Sequence, residues 1–434
     1  MREMKDSGVE WIGEIPKDWK VSRLKYVLSE AMKYGANETG VEYSSEMPRY
    51  IRITDISLDG KLKDTGKLSL PNNVAKEYIL KDKAILFARS GATVGKTFIY
   101  KSEYGKMAFA GYLISAYCNE KLFSPELLYY FTNSFAYSEW INRVFSQSTI
   151  QNIGADKYVN MILAVPKIAE QQQIVDYLDT KCSEIDATTE DIQKEISLLE
   201  DYKKSVITEA VTKGLDPDAE MKDSGIAWIG EVPKHWGTIR IGNAFSIRNE
   251  RNYLPMEQVQ LLSLYSGKGV FPTGEEETTN RGNHAQTVAD YKIVKKNDIV
   301  VNIILAWMGS LGISNYNGVV SPAYDVYIPN EEKVVPHYYH YVFRTSGIAN
   351  ECYRYGRGIM MMRWRTYSSE FKRIHVPFPP LEEQQQIADF LDTKCSEIDA
   401  IIADKKHQRG ILADYKKSLI YEYVTGKKEV PVHE

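Results

Sequence analysis

Four arginines occur within the twelve-residue segment RYGRGIMMMRWR of a 434-residue chain. They are Arg354, Arg357, Arg363 and Arg365, and the glycines among them would let a polyanion backbone approach closely. An arginine guanidinium pairs with phosphate and can donate two hydrogen bonds to the edge of a guanine. The segment therefore predicts contact with DNA, although any one of these arginines could also be an ordinary charged surface residue.

Two further groups of polar side chains are suited to reading bases or binding phosphates. Arg and Lys suit guanine, whereas Asn and Gln suit adenine. In the first half of the chain a glycine turn and the polar run SQSTIQN supply the predicted DNA contacts Arg89, Lys96, Gln147, Ser148, Gln151 and Asn152. In the second half, the predicted contacts ahead of the arginine-rich segment are Arg248, Arg251 and Asn252.

The glycine turn SGATVGKT, residues 90–97, is close to the phosphate-binding pattern GxxxxGK(S/T) but departs from it. Its first glycine position is a serine, and counting from the next glycine leaves the loop one residue short. The apolar and aromatic residues that follow favour a strand, whereas a phosphate-binding loop must open a helix. We therefore predict a DNA backbone contact by Arg89 and Lys96; an enzyme using this near-match is the alternative.

No set of catalytic residues and no metal site is predicted. The sequence lacks a dinucleotide-binding fingerprint, an HExxH motif and a GxSxG motif. His337 and His340 lie three residues apart among tyrosines, which is typical of core or surface histidines. The four cysteines are far apart and form no CxxC pair, so we expect small buried apolar residues in a reduced, cytoplasmic protein: Cys118, Cys182, Cys352 and Cys395.

Two stretches of sequence occur twice, in the same order, and must supply the frame that positions these residues. MKDSGVEWIGEIPKDW at 4–19 returns as MKDSGIAWIGEVPKHW at 221–236, and EQQQIVDYLDTKCSEIDA at 170–187 returns as EQQQIADFLDTKCSEIDA at 383–400. The segments between the copies have little likeness to each other. A repeat of this kind predicts one constant frame that carries two different inserts.

Each EQQQI copy opens a predicted long helix, because apolar residues recur every seven positions with prolines before the start and a glycine at the end. About 44 residues would make a rod of about 65 Å. We expect the two rods to pair antiparallel, with Lys405 interrupting the second stripe; the alternative is two helices that pack separately. The predicted seam residues are Leu178, Ile185, Ile192, Leu199, Val206, Leu391, Ile398, Leu412 and Leu419.

The predicted fold class is α+β, with two globular mixed α/β inserts separated by two long antiparallel coiled-coil helices in a pseudo-two-fold internal repeat. The predicted divisions are an N-terminal box at 1–20, an insert at 21–165, a helix at 166–213, a linker with the second box at 214–237, an insert at 238–378, a helix at 379–426 and a tail at 427–434. We call 21–165 the first insert and 238–378 the second insert.

Charge is distributed unevenly along the chain. The formal net charge is −4, yet each insert carries a net charge of +4 and the segment 167–220 carries −8. Nucleic-acid binding needs a local positive surface rather than a basic total, so this distribution permits DNA binding. No apolar run approaches the roughly 18 residues of a membrane span, and the N-terminus has no signal-peptide pattern, so we expect no membrane contact.

The combination of motifs resembles the DNA-specificity subunit of type I restriction-modification enzymes. Two EQQQI helices, each followed by LDTKCSEIDA and then DYKK, alternate with two unlike inserts that open after WIGE(I/V)PK and a tryptophan. The resemblance implies that each insert is a target recognition domain for one half of an asymmetric, split DNA sequence. It also implies that the chain itself is not catalytic.

The resemblance further implies which partners the chain has. Two methyltransferase subunits would dock on the long helices, and two motor-nuclease subunits would complete the complex. S-adenosylmethionine, ATP and Mg²⁺ would belong to those partners, and no cofactor to this chain. A rigid spacer fixes the distance between two half-sites, so we expect the helices to set the unread gap. A coiled-coil scaffold that binds only proteins is a further alternative.

Overall fold

A computed structural model describes residues 2–57, 60–91, 93–146, 152–265, 269–274, 287–358 and 364–431. The chain forms two compact units. Unit 1 contains residues 1–192 and 407–434, and unit 2 contains residues 193–406. Each unit holds one insert together with parts of both long helices, so the compact units differ from the repeats in the sequence.

Unit 1 contains twelve short strands and the beginning of the first long helix. Its strands are β1 (Met4–Asp6), β2 (Glu14–Pro16), β3 (Lys20–Arg23), β4 (Lys33–Tyr34), β5 (Val41–Glu42), β6 (Arg49–Ile51), β7 (Leu68–Ser69), β8 (Ile85–Ala88), β9 (Thr97–Ile99), β10 (Met107–Phe109), β11 (Leu113–Ala116) and β12 (Ile162–Val165), among the residues described. The helices are α1 (Asn72–Ala75), α2 (Pro125–Phe131), α3 (Phe135–Ser146), α4 (Ala155–Tyr158) and α5 (Ile168–Lys213).

Unit 2 repeats this plan and contains the beginning of the second long helix. Within its described residues the strands are β13 (Met221–Asp223), β14 (Glu231–Pro233), β15 (Gly237–Arg240), β16 (Phe245–Ile247), β17 (Leu262–Tyr265), β18 (Gly269–Pro272), β19 (Lys292–Val294), β20 (Ile299–Asn302), β21 (Leu311–Ile313), β22 (Gly318–Val320), β23 (Tyr324–Pro329) and β24 (His375–Phe378). The helices are α6 (Ile241–Ala244), α7 (Pro336–Val342), α8 (Ser346–Tyr355), α9 (Ser368–Phe371) and α10 (Leu381–Val424).

Both inserts are built on a four-stranded antiparallel sheet of the same order. In the first insert the order is β4-β11-β8-β9, and in the second it is β16-β23-β20-β21. The central strands β8 and β20 are apolar on both faces: Ile85 and Phe87 join one core cluster while Leu86 and Ala88 join another. The two inserts therefore share a fold despite unlike sequences, and the predicted α+β class is confirmed.

The segments 125–145 and 335–355 both have the apolar spacing of a single helix, yet each forms a pair of helices. The apolar pattern continues through both breaks, but a hydroxyl side chain starts a new helix at each one. The Ser134 hydroxyl accepts a hydrogen bond from the backbone N–H of Tyr137, and Thr345 accepts one from Ile348. Such N-cap bonds satisfy N–H groups that the first helical turn leaves unpaired.

The long helices pack antiparallel within each unit. In unit 1, Tyr177 of α5 lies against Tyr423 of α10, with ring centroids 4.6 Å apart, and Lys416 forms a 2.6 Å ion pair with Asp186. In unit 2, Lys203 pairs with Asp399, and Lys405, the residue that interrupts the stripe, pairs with Glu195 at 2.6 Å. A lysine is therefore tolerated at this position because a carboxylate of the other helix lies opposite. The predicted antiparallel arrangement is confirmed.

The predicted seam residues lie on the packed side of the helices. Six of them are buried: Leu178, Ile185, Ile192, Leu391, Ile398 and Leu419. The remaining three are partly buried: Leu199, Val206 and Leu412. A seven-residue apolar repeat places these side chains on one helix face, which explains why periodicity alone located them.

A buried tryptophan joins each box to the helix that begins with EQQQI. Trp19 and Trp236 are fully buried, and their indole N–H groups donate to Glu170 and Glu383 at 3.0 and 2.8 Å. The box in unit 2 also contacts the end of α5. In unit 1 the corresponding helix end belongs to α10: the Lys427 ammonium donates to the backbone carbonyl of Ile12 at 2.9 Å. The N-terminal box thus packs on the last helix of the chain.

Replacing Gly410 with alanine should stabilise the protein, although it lies in the middle of α10. An added Cβ meets no atom within 4 Å, and alanine is favoured over glycine in a helix interior by about 1 kcal/mol. We expect the melting temperature, followed by circular dichroism, to rise by about 2–4 °C.

The control for this substitution is Gly214→Ala at the end of α5. Gly214 has a φ of +78°, and an added Cβ would lie 3.2 Å from the Trp236 ring. Alanine in this left-handed conformation costs about 1–2 kcal/mol, so the melting temperature should fall. The opposite sign of the two shifts would show that helix position, and not glycine content, determines the effect; equal shifts would contradict this account.

Candidate nucleic-acid interface

The second insert carries an exposed group of arginines at the end of α8, which we call the arginine cluster: Arg354, Arg357 and Arg365. The backbones of Arg357 and Arg365 exchange two N–H···O hydrogen bonds of 3.0 Å. The side chains of Arg354 and Arg357 are 68% and 67% exposed. The backbone bridge therefore brings together arginines that the sequence spreads over a longer segment.

Aromatic rings support the arginine cluster. The guanidinium of Arg357 lies 5.3 Å from the ring centroid of Tyr367. Beside it, the rings of Tyr353 and Trp364 stack with centroids 5.2 Å apart, and the Trp364 indole donates a 3.0 Å hydrogen bond to the backbone carbonyl of Tyr353. Rings packed in this way limit the rotamers of the neighbouring arginines, which lowers the entropic cost of binding.

Arg373 adds a fourth cation that sequence reasoning missed. Its guanidinium lies 5.5 Å from the Tyr355 ring, and that of Arg354 lies 5.7 Å from the same ring. Glu370 forms ion pairs with Arg373 at 3.2 Å and Arg357 at 4.0 Å. One carboxylate thus faces two arginines, which leaves positive charge in excess. A single arginine ahead of a strand carries no signal in the sequence.

The corresponding place in the first insert joins Arg89 to Asn152. Ser90 and Asn152 form a backbone bridge, and Ile153 donates an N–H hydrogen bond of 2.8 Å to the carbonyl of Arg89. The Arg89 guanidinium lies 4.9 Å from the ring centroid of Tyr34. Within the described residues, the buried Nε of Arg89 and Oδ1 of Asn152 have no hydrogen-bond partner. Unpaired buried polar atoms are costly.

Lys96 lies at the other end of the glycine turn and is partly buried. Its ammonium donates a 3.1 Å hydrogen bond to the backbone carbonyl of Ile56. Lys96 also lines an open groove of about 350 Å³, together with Asn133, Asn142 and Lys417. The turn leads into the strand β9, so the prediction that it lacks the helix of a phosphate-binding loop is confirmed.

Arg248 and Asn252, both predicted as DNA contacts, have internal roles instead. The buried Arg248 guanidinium donates two hydrogen bonds to the Asp298 carboxylate at 2.7 and 2.9 Å, and these bonds raise the pKa of Arg248. The buried Asn252 amide donates to the backbone carbonyls of Leu254 and Val288 at 2.9 and 3.0 Å. Both side chains are committed to holding loops, so we leave them out of the proposed interface.

The other predicted contacts are less well defined. Arg251 is partly buried and donates a 3.0 Å hydrogen bond to the backbone carbonyl of Asp290. Four predicted contacts lie outside the described residues: Gln147, Ser148, Gln151 and Arg363. The predicted contacts that remain candidates are therefore Arg89, Asn152, Lys96, Arg251 and the arginine cluster.

The histidines and cysteines have structural surroundings. His337 Nε2 lies 2.8 Å from a carboxylate oxygen of Asp392. In the part of the chain that the structure describes, no three His, Cys, Asp or Glu side chains are placed to hold a metal ion. Burial raises the pKa of the Cys182 thiol to about 11 and that of Cys118 to about 12. Such thiols stay protonated and are poor nucleophiles at neutral pH.

Two segments of the chain, residues 16–198 and 233–408, match the family described as Type I restriction modification DNA specificity domain. The matches cover more than half of the chain, and each includes one insert and the beginning of one long helix. The chain belongs to this family. The resemblance stated from the repeated motifs is thereby confirmed, and each insert is assigned to one DNA-specificity domain.

Similarity to individual specificity subunits extends over nearly the whole chain. The protein is 27% identical over 431 residues to the putative type I restriction enzyme MjaX specificity subunit of Methanocaldococcus jannaschii, covering 96% of each chain. It is 23% identical over 436 residues to the MjaVIII specificity subunit of the same organism, covering 96% of this chain and 94% of the other.

One solved structure shares the fold over the same length. It is a chain from a study of complex assembly and conformational transition of the type I R-M system, with a TM-score of 0.66. The sequences are 14% identical, and the match covers 95% of this chain and 99% of the other.

The family assignment fixes the general function of this specificity subunit. It recognises DNA by sequence within a type I restriction-modification system and is not itself a catalyst. None of the helices formed by its described residues is long and apolar enough to cross a membrane.

Proposed function

We propose that each insert reads one half of a bipartite, asymmetric DNA sequence. One observation carries this proposal: both inserts have basic side chains beside the same backbone bond of a shared fold, but the residues at equivalent positions differ. Ile153 donates its N–H to the Arg89 carbonyl, and Thr366 donates in the same way to the Ile303 carbonyl at 2.8 Å. Equal scaffolds with unequal side chains at equivalent places are suited to recognising two different half-sites.

The proposed contacts divide between the two inserts. In the first insert they are Arg89, Lys96 and Asn152, with Gln147, Ser148 and Gln151 remaining sequence-based predictions. In the second insert they are Arg251, Arg354, Arg357, Arg365 and Arg373, with Arg363 remaining a sequence-based prediction. Exposed arginines held by aromatic rings can bind phosphates or donate two hydrogen bonds to guanine, whereas Asn152 is suited to adenine.

Replacing Arg357 with alanine should weaken binding of the full chain to its cognate duplex. If Arg357 contacts a phosphate, fewer counterions are released on binding, and the slope of log affinity against log salt should fall by about 1. Titrations at several salt concentrations measure that slope. Lys204→Ala, which removes an exposed charge on α5, is the matched control and should leave the slope unchanged. Equal slopes for wild type and Arg357→Ala would exclude a phosphate contact.

The constant frame has features that suit two copies of one partner. Leu198 and Tyr202 are exposed one turn apart on α5 in unit 2, and Ile411 and Tyr415 are exposed one turn apart on α10 in unit 1. We infer that these apolar pairs, at equivalent positions of the repeat, dock two methyltransferase subunits. Two motor-nuclease subunits would then complete the complex. S-adenosylmethionine, ATP and Mg²⁺ would be bound by these partners.

The long helices are proposed to set the length of the unread gap between the half-sites. Seven residues added to a helix extend it by about 10 Å, which corresponds to about three base pairs of DNA. One heptad should be inserted after residue 192 in α5 and one after residue 406 in α10, because these junctions lie between the compact units and leave the internal contacts of each unit intact.

The gap should then lengthen by about three base pairs while both half-sites stay the same. A heptad in α5 alone is the control, since it shifts the register of the helix pair and should reduce activity without a new gap. Methylated adenines mapped by single-molecule sequencing report the gap directly. An unchanged site in the double insertion would show that helix length does not set the gap.

The proposal as a whole is tested by expressing the chain with its methyltransferase partners and mapping methylated adenines in the host genome. We expect one split sequence with two different halves. Absence of sequence-specific methylation, with the partners still bound to the chain, would favour a protein scaffold instead.

A further inference from the structure

The second insert exposes apolar side chains beside the arginine cluster. They belong to the segment 303–309, which we call the apolar turn and which follows the central strand β20. The Thr366 N–H donates to the Ile303 carbonyl at 2.8 Å, next to Arg365 in the chain. The Trp307 ring lies 6.0 Å from the ring of Tyr353, the residue before Arg354. The apolar turn therefore adjoins the arginine cluster on two sides.

The apolar turn is held in one conformation by its own hydrogen bonds. The side-chain oxygen of Asn302 accepts the N–H of Ile304 at 3.0 Å. The N–H groups of Met308 and Ser310 donate to the carbonyl of Leu305 at 2.9 and 3.1 Å. The Trp307 indole donates to the Ile304 carbonyl at 3.1 Å. Side chains on such a turn lose little further entropy when they bind.

Two large apolar side chains on this turn are presented to solvent. Leu305 is 40% exposed and Met308 is 58% exposed. Exposed apolar groups on a fixed turn and bordered by arginines mark a contact surface for a ligand that is anionic at its edge and apolar at its centre. The neighbouring arginines indicate that this ligand is DNA, because the phosphates of DNA flank grooves that contain apolar groups.

The equivalent turn of the first insert has a different character. It follows β8 and begins at Arg89. The Arg89 carbonyl accepts the N–H of Ile153, just as the Ile303 carbonyl accepts the N–H of Thr366, so Arg89 and Ile303 occupy equivalent positions. Among its described residues, 89–91 and 93–96, there is no exposed large apolar side chain. The turn of the first insert thus carries Arg89 and Lys96, whereas the turn of the second carries the exposed Leu305 and Met308.

We propose that Leu305 and Met308 contact the 5-methyl group of a thymine in the half-site read by the second insert. This inference rests on the proposed function and adds the chemistry by which one base is chosen. Thymine is the base that carries a methyl group in the major groove, and apolar side chains recognise it there. The arginine cluster supplies phosphate contacts, and the apolar turn supplies selectivity for an A·T pair.

Replacing thymine by deoxyuridine in the duplex tests this inference, because it removes the methyl group and no hydrogen-bonding atom. The full chain with its methyltransferase partners is titrated with its mapped site, and each thymine of both half-sites is replaced in turn. One replacement should weaken binding about fourfold, as expected for the loss of one buried methyl-sized group. That penalty should vanish in Leu305→Ala or Met308→Ala.

Leu254→Ala is the matched control, since Leu254 is an exposed leucine elsewhere in the second insert; it should keep the full penalty. The inference is overturned if no thymine replacement weakens binding, or if the penalty persists in both Leu305→Ala and Met308→Ala. It is also overturned if the half-site read by the second insert contains no A·T pair. A chain that directs no sequence-specific methylation would instead contradict the proposed function, so the two failures are distinguishable.

Discussion

Replacing Arg248 with alanine should lower the free energy of unfolding of unit 2 by about 3–5 kcal/mol. The Asp298 carboxylate is fully buried and accepts both hydrogen bonds from Arg248. Without the guanidinium it stays in the core as a charge that lacks its partner. The loss should appear as a thermal transition lowered by about 10 °C, since 1 kcal/mol corresponds to about 2–4 °C in a unit of this size.

Two further variants separate the structural role of Arg248 from a DNA contact. Arg357→Ala, which removes an exposed arginine of the same insert whose neighbour Glu370 keeps its closer ion pair with Arg373, should leave the thermal transition unchanged. The double variant Arg248→Met with Asp298→Leu should recover much of the lost stability, because a buried ion pair can often be replaced by packed apolar residues. If Arg248→Ala melted like wild type and yet bound DNA more weakly, that result would support the prediction that Arg248 contacts DNA.

Replacing Gln384 with alanine should destabilise unit 2 by a comparable amount. Gln384 is fully buried. Its side-chain oxygen accepts the N–H of Val335 at 2.7 Å, and its amide donates to the carbonyls of Lys333 and Pro379 at 3.2 and 2.9 Å. Alanine leaves these three backbone groups without partners, at about 1–3 kcal/mol each. We expect a loss of about 3–6 kcal/mol and faster hydrogen exchange at the start of α7.

The neighbouring Gln385 provides the control, because its exposed amide bonds only to Asp389 on the same helix. Gln385→Ala should change stability by no more than about 0.5 kcal/mol. The repeat offers a second check: Gln171 makes the same three kinds of bond in unit 1, to Ser124, Leu122 and Pro166. Gln171→Ala should therefore raise hydrogen exchange at α2. Equal stability of Gln384→Ala and Gln385→Ala would show that the buried bonds contribute little.

The bonds of Gln171 and Gln384, together with those of the preceding glutamates, explain why EQQQI occurs twice. Glu170 and Glu383 accept the tryptophan indoles of the boxes, and Gln171 and Gln384 join each helix to the helix pair of its insert. A polar motif at a helix start resembles a solvated face when read alone. Its first glutamine is buried because two of the three backbone groups it satisfies come from residues about fifty positions away.

The repeat and the two long helices with their apolar stripes can be recognised from the amino-acid sequence alone. Helix periodicity is a local property, so apolar residues spaced by seven identify the packed face without knowledge of its partner. The same local reasoning found the shared character of the inserts and the exposed Arg357 and Arg365. It missed the helix breaks at Ser134 and Thr345, because a capping hydroxyl looks like any other polar residue in an amphipathic run.

Long-range contacts determine which arginines are available to a ligand and which residues share a compact unit. Arg248 and Arg357 cannot be told apart by residue type. In the folded chain Arg248 is buried against Asp298, whereas Arg357 is exposed at its backbone bridge to Arg365. The N-terminal box packs on the last helix, and each long helix contributes to both units. These arrangements depend on contacts between residues far apart in the chain, whose free energies no local pattern contains.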